Sequence, residues 1–352
     1  MVSFNAVIDE AITHSLEQAG LISGPDIRIT PLTGGVSSEI LLLEDGSTRL
    51  VVKRALPKLK VKDDWFADVS RNRYEQEYMK YVASFLPDAV PRVLHSDPER
   101  GFFVMEYLGE GYANWKKLLL DGQADHRHAR RAGQMLGTIH ARSRGDVQVR
   151  RRFDTTENFY QLRIEPYLIT TGQRHLRLRL LFEEEARRLA ATRFCLVHGD
   201  YSPKNILIGA GQRMVILDCE VAWFGDPAFD LAFLFNHFLL KSLYHATRPG
   251  DRPDRLVNNI HAAWEAYTSG WIPDVGLEFR TVRLLLMLLL ARIDGKSPVE
   301  YITDEQHKEL VRAFVRAQLS DPPNSLPEVT VRWREQLRLI MPTAAGHVTR
   351  LK

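Results

Sequence analysis

The sequence predicts an α+β protein in two parts, with strands first and helices after. Three observations carry that prediction. Apolar residues alternate, or run in short blocks, through the first part of the chain; helical spacing dominates beyond it; and between Cys195 and Glu220 short apolar runs deliver acids and an amide into loops. At 352 residues the chain exceeds the usual single domain, so two domains, or one domain of two lobes, is the starting expectation. Hydrophobic residues at 45% and charged residues at 26% are ordinary for a globular protein and exclude disordered, collagen-like and fibrous classes. Lys and Arg outnumber Asp and Glu by 47 to 44, a net charge of +3, which does not call for a nucleic-acid partner. Two cysteines are too few for a disulfide framework or a zinc site of several thiolates, and they fit a reducing compartment. The N-terminus carries acids and no basic n-region. The longest apolar run, Leu284 to Ala291, falls far short of the roughly 18–20 residues of a membrane span. A soluble, cytoplasmic protein with no membrane partner is expected.

The elements follow in order. Val7, Ile8, Ala11, Ile12 and Leu16 fall at helical spacing. Asp26 to Leu32 alternates as a strand; Gly34 to Ser38 is a loop; Glu39 to Glu44 is a second strand. Asp45-Gly46 marks a hairpin, since both residues tolerate positive φ. Leu50 to Lys53 reads as a largely buried third strand ending in a lysine. A helix from about Val69 to Leu86 has the apolar stripe Tyr78, Met79, Val82 and Phe85, with Glu75 on the same stripe. A carboxylate there needs a partner. Arg92 to His95 and Phe102 to Leu108 are two more strands, and Gly109 to Gly111 connects the two parts. Helices then follow at Ala129–Ala141, Phe182–Ala191, Leu231–Tyr244, Val257–Thr268 and Phe279–Ile293, with a last one after the Pro-rich spacer Asp321 to Pro327. The basic stretches His126 to Arg131 and Arg142 to Arg152 read as charge runs in or beside surface loops. His140 reads as structural or capping.

The segment that carries chemistry is Cys195 to Gly209. One apolar run leads into His198-Gly199-Asp200, another follows Asn205, and a third, Val215 to Leu217, ends in Asp218-Cys219-Glu220. Asp200, Asn205 and Asp218 are thereby expected to converge at the mouth of a small β-hairpin. Two carboxylates and an amide oxygen make a hard-oxygen set suited to Mg2+. A carboxylate held off the metal can instead accept a proton from a substrate hydroxyl.

Three motifs, His198-Gly-Asp200-x-x-x-x-Asn205, Asp218-x-Glu220 and Gly225-Asp226-Pro-Ala-Phe-Asp230-Leu-Ala, resemble the aminoglycoside phosphotransferase and choline kinase family, relatives of the protein kinases. The likeness runs in order from Gly34 to about Ala232. It implies a bilobal protein-kinase-like fold: an antiparallel β-sheet lobe with one helix over 1–108, which binds nucleotide, and a larger, mainly helical lobe over 109–352 for catalysis and acceptor binding. It implies ATP and Mg2+ as cofactors and transfer of phosphate to a hydroxyl of a small molecule. Under this likeness Asp200 is the base, and Asn205 and Asp218 hold Mg2+. Lys53 meets the α/β-phosphates and pairs with Glu75, Glu77 being the alternative partner. Gly34, Gly35, Ser37 and Ser38 cover the phosphates, and Met105, Glu106 and Tyr107 form the hinge against adenine. His198 and Asp230 brace the catalytic loop; Lys204 either reaches the phosphate in transfer or faces solvent; Glu220 either binds metal or supports the site from behind.

Departures from the protein-kinase pattern narrow the acceptor. The loop at Gly34 is not G-x-G-x-x-G, Asp218-Cys219-Glu220 stands for D-F-G, and no A-P-E element follows. A small-molecule acceptor is therefore favoured over a protein; a nucleotide-binding module that transfers nothing is the alternative from another class. Gly295-Lys296-Ser297 mimics a P-loop but follows an apolar helix, so it reads as a helix end, with Arg292 and Asp294 as candidate acceptor-pocket charges. Cys195 and Cys219 read as buried small hydrophobes.

Overall fold

The computed structural model describes residues 10–23, 27–32, 38–57 and 68–341. The chain divides into two compact units, Met1–Tyr112 with Val215–Val221, and Ala113–Met214 with Ala222–Lys352. The expected boundary at 108/109 lies just before the change of unit, and the return of 215–221 to the first unit has no counterpart in the expected division.

The first unit contains α1 (Glu10–Gln18), β1 (Arg28–Pro31), β2 (Ser38–Asp45), β3 (Thr48–Ala55), α2 (Arg71–Ala83), β4 (Val93–Asp97) and β5 (Phe102–Glu106). Its five strands form one antiparallel sheet in the order β1-β2-β3-β5-β4. The β2–β3 hairpin closes with Asp45 opposite Thr48. Of the two residues expected to take positive φ, only Gly46 does so, at +57°; Asp45 stays in the strand. Register places Leu41 beside Val52, Leu43 beside Leu50 and Val52 beside Val104. Because side chains alternate along a strand, these residues share one face, and with Phe102 they enclose Ile12, Leu16 and Ile22. The other face of β3 carries Val51 and Lys53. Against it α2 buries Tyr78, Met79 and Val82, each worth about 1.5–3 kcal/mol of transfer free energy. The predicted helix over 69–86 is shorter at both ends. Ser70 precedes its first turn, and Leu86, before Pro87, has left the helical region (φ −134°, ψ 68°), so Phe85 lies beyond the helix. Strand β3 also continues past Lys53 to Ala55.

The second unit contains β6 (Ala113–Asn114), α3 (Trp115–Leu120), α4 (His126–Ser143), α5 (Val147–Arg152), α6 (Thr156–Phe159), α7 (Thr170–Arg174), α8 (Arg179–Ala191), β7 (Cys195–Val197), β8 (Ile206–Ile208) and β10 (Trp223–Gly225), while β9 (Met214–Ile216) spans the change of unit. It continues through α9 (Ala228–Ala246), α10 (Arg252–Ser269), α11 (Leu277–Asp294), α12 (Glu305–Ser320) and α13 (Leu326–Arg338). Strands β7 and β10 pair antiparallel, as do β6 and β8. The two basic runs expected in or beside surface loops are largely helical: Asp125 and Asp146 accept backbone N–H groups at the starts of α4 and α5, and these acidic caps set the helix beginnings. Between α6 and α7, Tyr160–Ile169 winds as a π-helix around Pro166, which cannot donate a backbone hydrogen bond. Among the described residues no helix is long and apolar enough to cross a membrane.

Helices α4 and α10 pack backbone to backbone at two glycines. A Cβ on Gly133 would lie 2.0 Å from the Ala263 carbonyl oxygen, and one on Gly137 would lie 2.6 Å from that of Tyr267. Gly133→Ala is therefore expected to destabilise the protein by about 1–3 kcal/mol, read as a lower urea midpoint at unchanged m-value. An unchanged midpoint would mean that the two helices separate without cost.

Candidate active site

In the first unit the centre is Lys53. Its Nζ donates to Glu75 Oε1 and to Asp218 Oδ1, each at 2.7 Å, and the lysine and glutamate side chains are almost wholly buried. The α2 phase thus selects Glu75; Glu77 is only half-buried. Glu220 accepts from Arg71 Nε at 3.1 Å and from Ser38 Oγ at 3.4 Å. The fully buried Arg71 also donates to the carbonyls of Asp68 and Leu56. Asp218 itself holds φ +59°, a left-handed backbone uncommon outside glycine that Asp tolerates better than most.

The electrostatics follow from crowding three carboxylates around two cations. Burial opposes the Lys53 ammonium, but Asp218, Glu75 and Glu220 outweigh it and hold its pKa above the ordinary lysine range. Burial pushes the Glu75 carboxyl up to about 7, with Asp218 and Glu220 adding to the rise and Lys53 opposing it. Glu75, Asp218 and Glu220 each offer a carboxylate oxygen, all within 4.8 Å of one another, and among the described residues Glu75 Oε2 is buried without a hydrogen-bond partner. Hard oxygen donors with surplus negative charge fit a divalent cation such as Mg2+.

In the second unit β7 leads into His198-Gly199-Asp200. Asp230, fully buried at the first turn of α9, accepts the backbone N–H of His198 at 2.7 Å and of Gly199 at 2.9 Å. His140 Nε2 lies 3.3 Å from the same carboxylate, and its Nδ1 lies 2.9 Å from the Tyr267 hydroxyl. His198 Nδ1 accepts the Asp200 N–H at 3.1 Å, and Gly199 takes φ +79°, so the loop turns sharply and is tied at each step. Asn205 follows a short turn; its Nδ2 donates to the Asp200 carbonyl at 3.1 Å, which leaves Oδ1 as the end able to bind a cation. The Asp200 carboxylate has Arg163 Nη2 at 3.1 Å and Lys204 Nζ at 3.7 Å.

The expected residues are placed as follows. Lys53, Glu75, Asp218, Glu220 and Ser38 come together within the first unit; Asp200, Asn205, His198, Lys204 and Asp230 come together within the second. Gly34, Gly35 and Ser37 lie outside the described residues. Met105 pairs with Val51 in the sheet, Glu106 Oε1 accepts the Arg92 N–H, and the Tyr107 ring lies 5.8 Å from the Arg49 guanidinium. Cys195 and Cys219 are free and buried, and burial pushes both thiols up. Gly295 caps α11, its N–H bonded to the Ala291 carbonyl, in keeping with a helix end.

Sequence reasoning missed Arg71, which holds Glu220, and Arg163, which holds Asp200. Arg163 sits in the π-helix, where the wider turn displaces it from any 3.6-residue face. It also donates to the carbonyls of Gly199 and Leu162. No periodic signal marked it. Asp294, a candidate pocket charge, is instead engaged by His175 and Arg312.

Comparison with known proteins bears on this geometry. The profile of the phosphotransferase enzyme family (APH) matches residues 28–271. The chain is 23% identical over 301 residues to a methylthioribose kinase of Pectobacterium atrosepticum, covering 75% of this chain and 74% of that one. It is 24% identical over 301 residues to one of Bacillus cereus, covering 77% and 75%. It is 25% identical over 246 residues to one of Geobacillus thermodenitrificans, where the chain spans 61% of the relative. Among solved structures, a choline/ethanolamine kinase family protein of Mesorhizobium loti matches with a TM-score of 0.51 at 16% identity, over 93% of this chain and 99% of that one. The amicoumacin kinase hAmiN matches at 0.52 and 15%, over 90% and 95%. These two show a shared protein-kinase-like α+β fold. With its profile matched from β1 to the end of α10, this chain belongs to the phosphotransferase enzyme family and is an ATP-dependent kinase of small molecules.

Proposed function

We propose that Asp200 is the base of this kinase, accepting the proton of a small-molecule hydroxyl as that hydroxyl attacks the γ-phosphorus of ATP. The observation that carries this reading is the catalytic loop: a buried aspartate, Asp230, grips two successive N–H groups immediately before Asp200, and no such fixation is needed by a carboxylate that only faces solvent. Phosphoryl transfer needs positioning and charge neutralisation more than covalent chemistry, and this loop supplies positioning. In the same proposal Lys53, held by Glu75, meets the α/β-phosphates, and Asn205 and Asp218 are the Mg2+ ligands, with Glu220 fixed by Arg71 behind Asp218. Mg2+, when bound, neutralises the phosphate oxygens and the charge that develops on them. Gly34, Gly35, Ser37 and Ser38 would cover the phosphates, and Met105, Glu106 and Tyr107 would meet adenine. The use of ATP makes a cytoplasmic setting part of the reading. The complete set of charged groups argues against a module that transfers nothing.

ADP release from Mg·ATP should depend on an added polyhydroxylated acceptor; methylthioribose, named for the relatives, is the first to try. Chelation of the metal with EDTA should abolish that release, and excess Mg2+ should restore it. Mg·ATP at about 100 times its Kd should stabilise the folded state by about 2.7 kcal/mol in a thermal-shift titration. ATP binding without any acceptor-dependent turnover would return weight to the non-catalytic reading; absence of ATP binding would remove the nucleotide site.

A further inference from the structure

Helix α9 begins by bracing the catalytic loop through Asp230 and then carries Phe233, His237 and Lys241 along one face at four-residue spacing. Lys241 is fully buried, yet among the described residues no carboxylate lies within ion-pair distance of its Nζ. Among the described residues its one hydrogen bond is a long one, 3.4 Å to the Tyr301 hydroxyl, over whose ring it sits at 4.8 Å. His237 Nδ1 approaches the same hydroxyl at 3.5 Å. An ammonium has three donors, and burying it without a counter-charge is unfavourable. A structural role would be served better by leucine or methionine.

This under-satisfied charge belongs to a basic group that runs back to the proposed base. Phe233 stacks edge-on with both His237 and Tyr167, and the Arg163 guanidinium that holds Asp200 lies 5.8 Å from the Phe233 and Tyr167 rings. Arg292 Nη1 donates to the Tyr167 hydroxyl at 3.2 Å and to the carbonyl and hydroxyl of Ser297, while its Nε is buried without a partner among the described residues. Lys204 flanks Asp200, and Lys116 is paired with Glu300. Five cations, Lys116, Arg163, Lys204, Lys241 and Arg292, thus face two carboxylates, Asp200 and Glu300. Burial, and then Lys116 and Arg292, push the Lys241 pKa well below its ordinary value, with Glu300 opposing; burial, then Lys241, Arg292, Lys204 and Lys116, do the same to His237.

We propose that the acceptor of this kinase carries an acidic group, carboxylate or phosphate, as well as the hydroxyl that receives phosphate, and that Lys241 and Arg292, with His237 and Tyr301, recognise that group. The inference rests on the assignment of Asp200 as the base, which places the hydroxyl at one end of the basic group and the acid at the other. An anion there raises the depressed pKa of Lys241, holding it as an ammonium with a counter-charge, and gives the Arg292 Nε an acceptor. A cationic acceptor such as an aminoglycoside or choline would meet like charge and be rejected.

The test compares matched acceptors: glycerate against glycerol, gluconate against glucitol, and ribose 5-phosphate against ribose and methylthioribose, with choline and an aminoglycoside as cations. Calorimetric Kd values and ADP release are both measured, and ATP affinity is measured separately. The acid of at least one pair should be favoured about tenfold to a hundredfold, and Lys241→Met and Arg292→Lys should each remove most of that preference without changing the KM for ATP. Glycerate and gluconate against ribose 5-phosphate decide between carboxylate and phosphate. Lys241→Met fills its site with a similar volume and removes a buried charge, so a melting temperature that is kept or raised separates lost recognition from misfolding. Equal use of acidic and neutral members, or preference for a cation, overturns the inference and leaves the kinase standing. A rise in the KM for ATP alone assigns these cations to the nucleotide and also overturns it. No acid binding at all overturns it too, and the separate ATP titration then tells whether the kinase reading falls with it.

Discussion

Asp200→Asn is expected to lower kcat by about 10²–10⁴ while leaving the Kd for Mg·ATP within about twofold. The amide keeps the size of the side chain but cannot take a proton, so the loss falls on the chemical step. Fold and loop should survive, because the ties at Gly199, His198 and the Asp200 backbone involve N–H and carbonyl groups that the substitution leaves in place. Lys204 is exposed and loses little. Arg163, nearly buried beside Asp200, loses its counter-charge but keeps its bonds to the Gly199 and Leu162 carbonyls, so a lower urea midpoint is expected and is read separately from turnover. Single-turnover kinetics with saturating acceptor would read the step directly. Near-normal turnover would remove Asp200 from the reaction.

Lys53→Met should be the most damaging single change to both stability and nucleotide binding. Its ammonium holds Glu75 and Asp218 at 2.7 Å each in a buried setting, and Glu220 lies close by. Removing one member of a buried ion pair leaves the other uncompensated, at a cost of about 3–5 kcal/mol. Affinity for ATP should fall about tenfold to a hundredfold, the size of a lost charge-assisted hydrogen bond. The double variant Lys53→Met/Glu75→Gln separates the two effects. Neutralising Glu75 should recover part of the stability, seen in the urea midpoint, while ATP binding stays weak. Recovery of both together would make the lysine a structural residue only.

The order of strands and helices was legible because hydrophobic period and turn chemistry are local. Gly46 ended β2 as expected, and the apolar blocks around Leu41, Leu50 and Phe103 became the central strands. Helix ends were less legible: the capping role of Asp125 and Asp146 turned basic runs, expected in or beside loops, into the starts of α4 and α5. Of the candidate site, the proximity of His198, Asp200 and Asn205 was legible, since they lie within one loop and their spacing alone brings them near one another.

The chemical groups and their local spacing are properties of the chain alone: a strand lysine, a helix glutamate, the His-Gly-Asp loop with its asparagine, and the acids at 218 and 220. Which of them meet depends on how the elements pack. Glu75 rather than Glu77 pairs with Lys53 because the rotation of α2 is set by packing Tyr78, Met79 and Val82 on the sheet, not by any residue near the pair. Arg71, Arg163 and Lys241 were silent for the same reason. A charge reads as surface in a sequence, and only packing reveals that it has been buried, and against which partners.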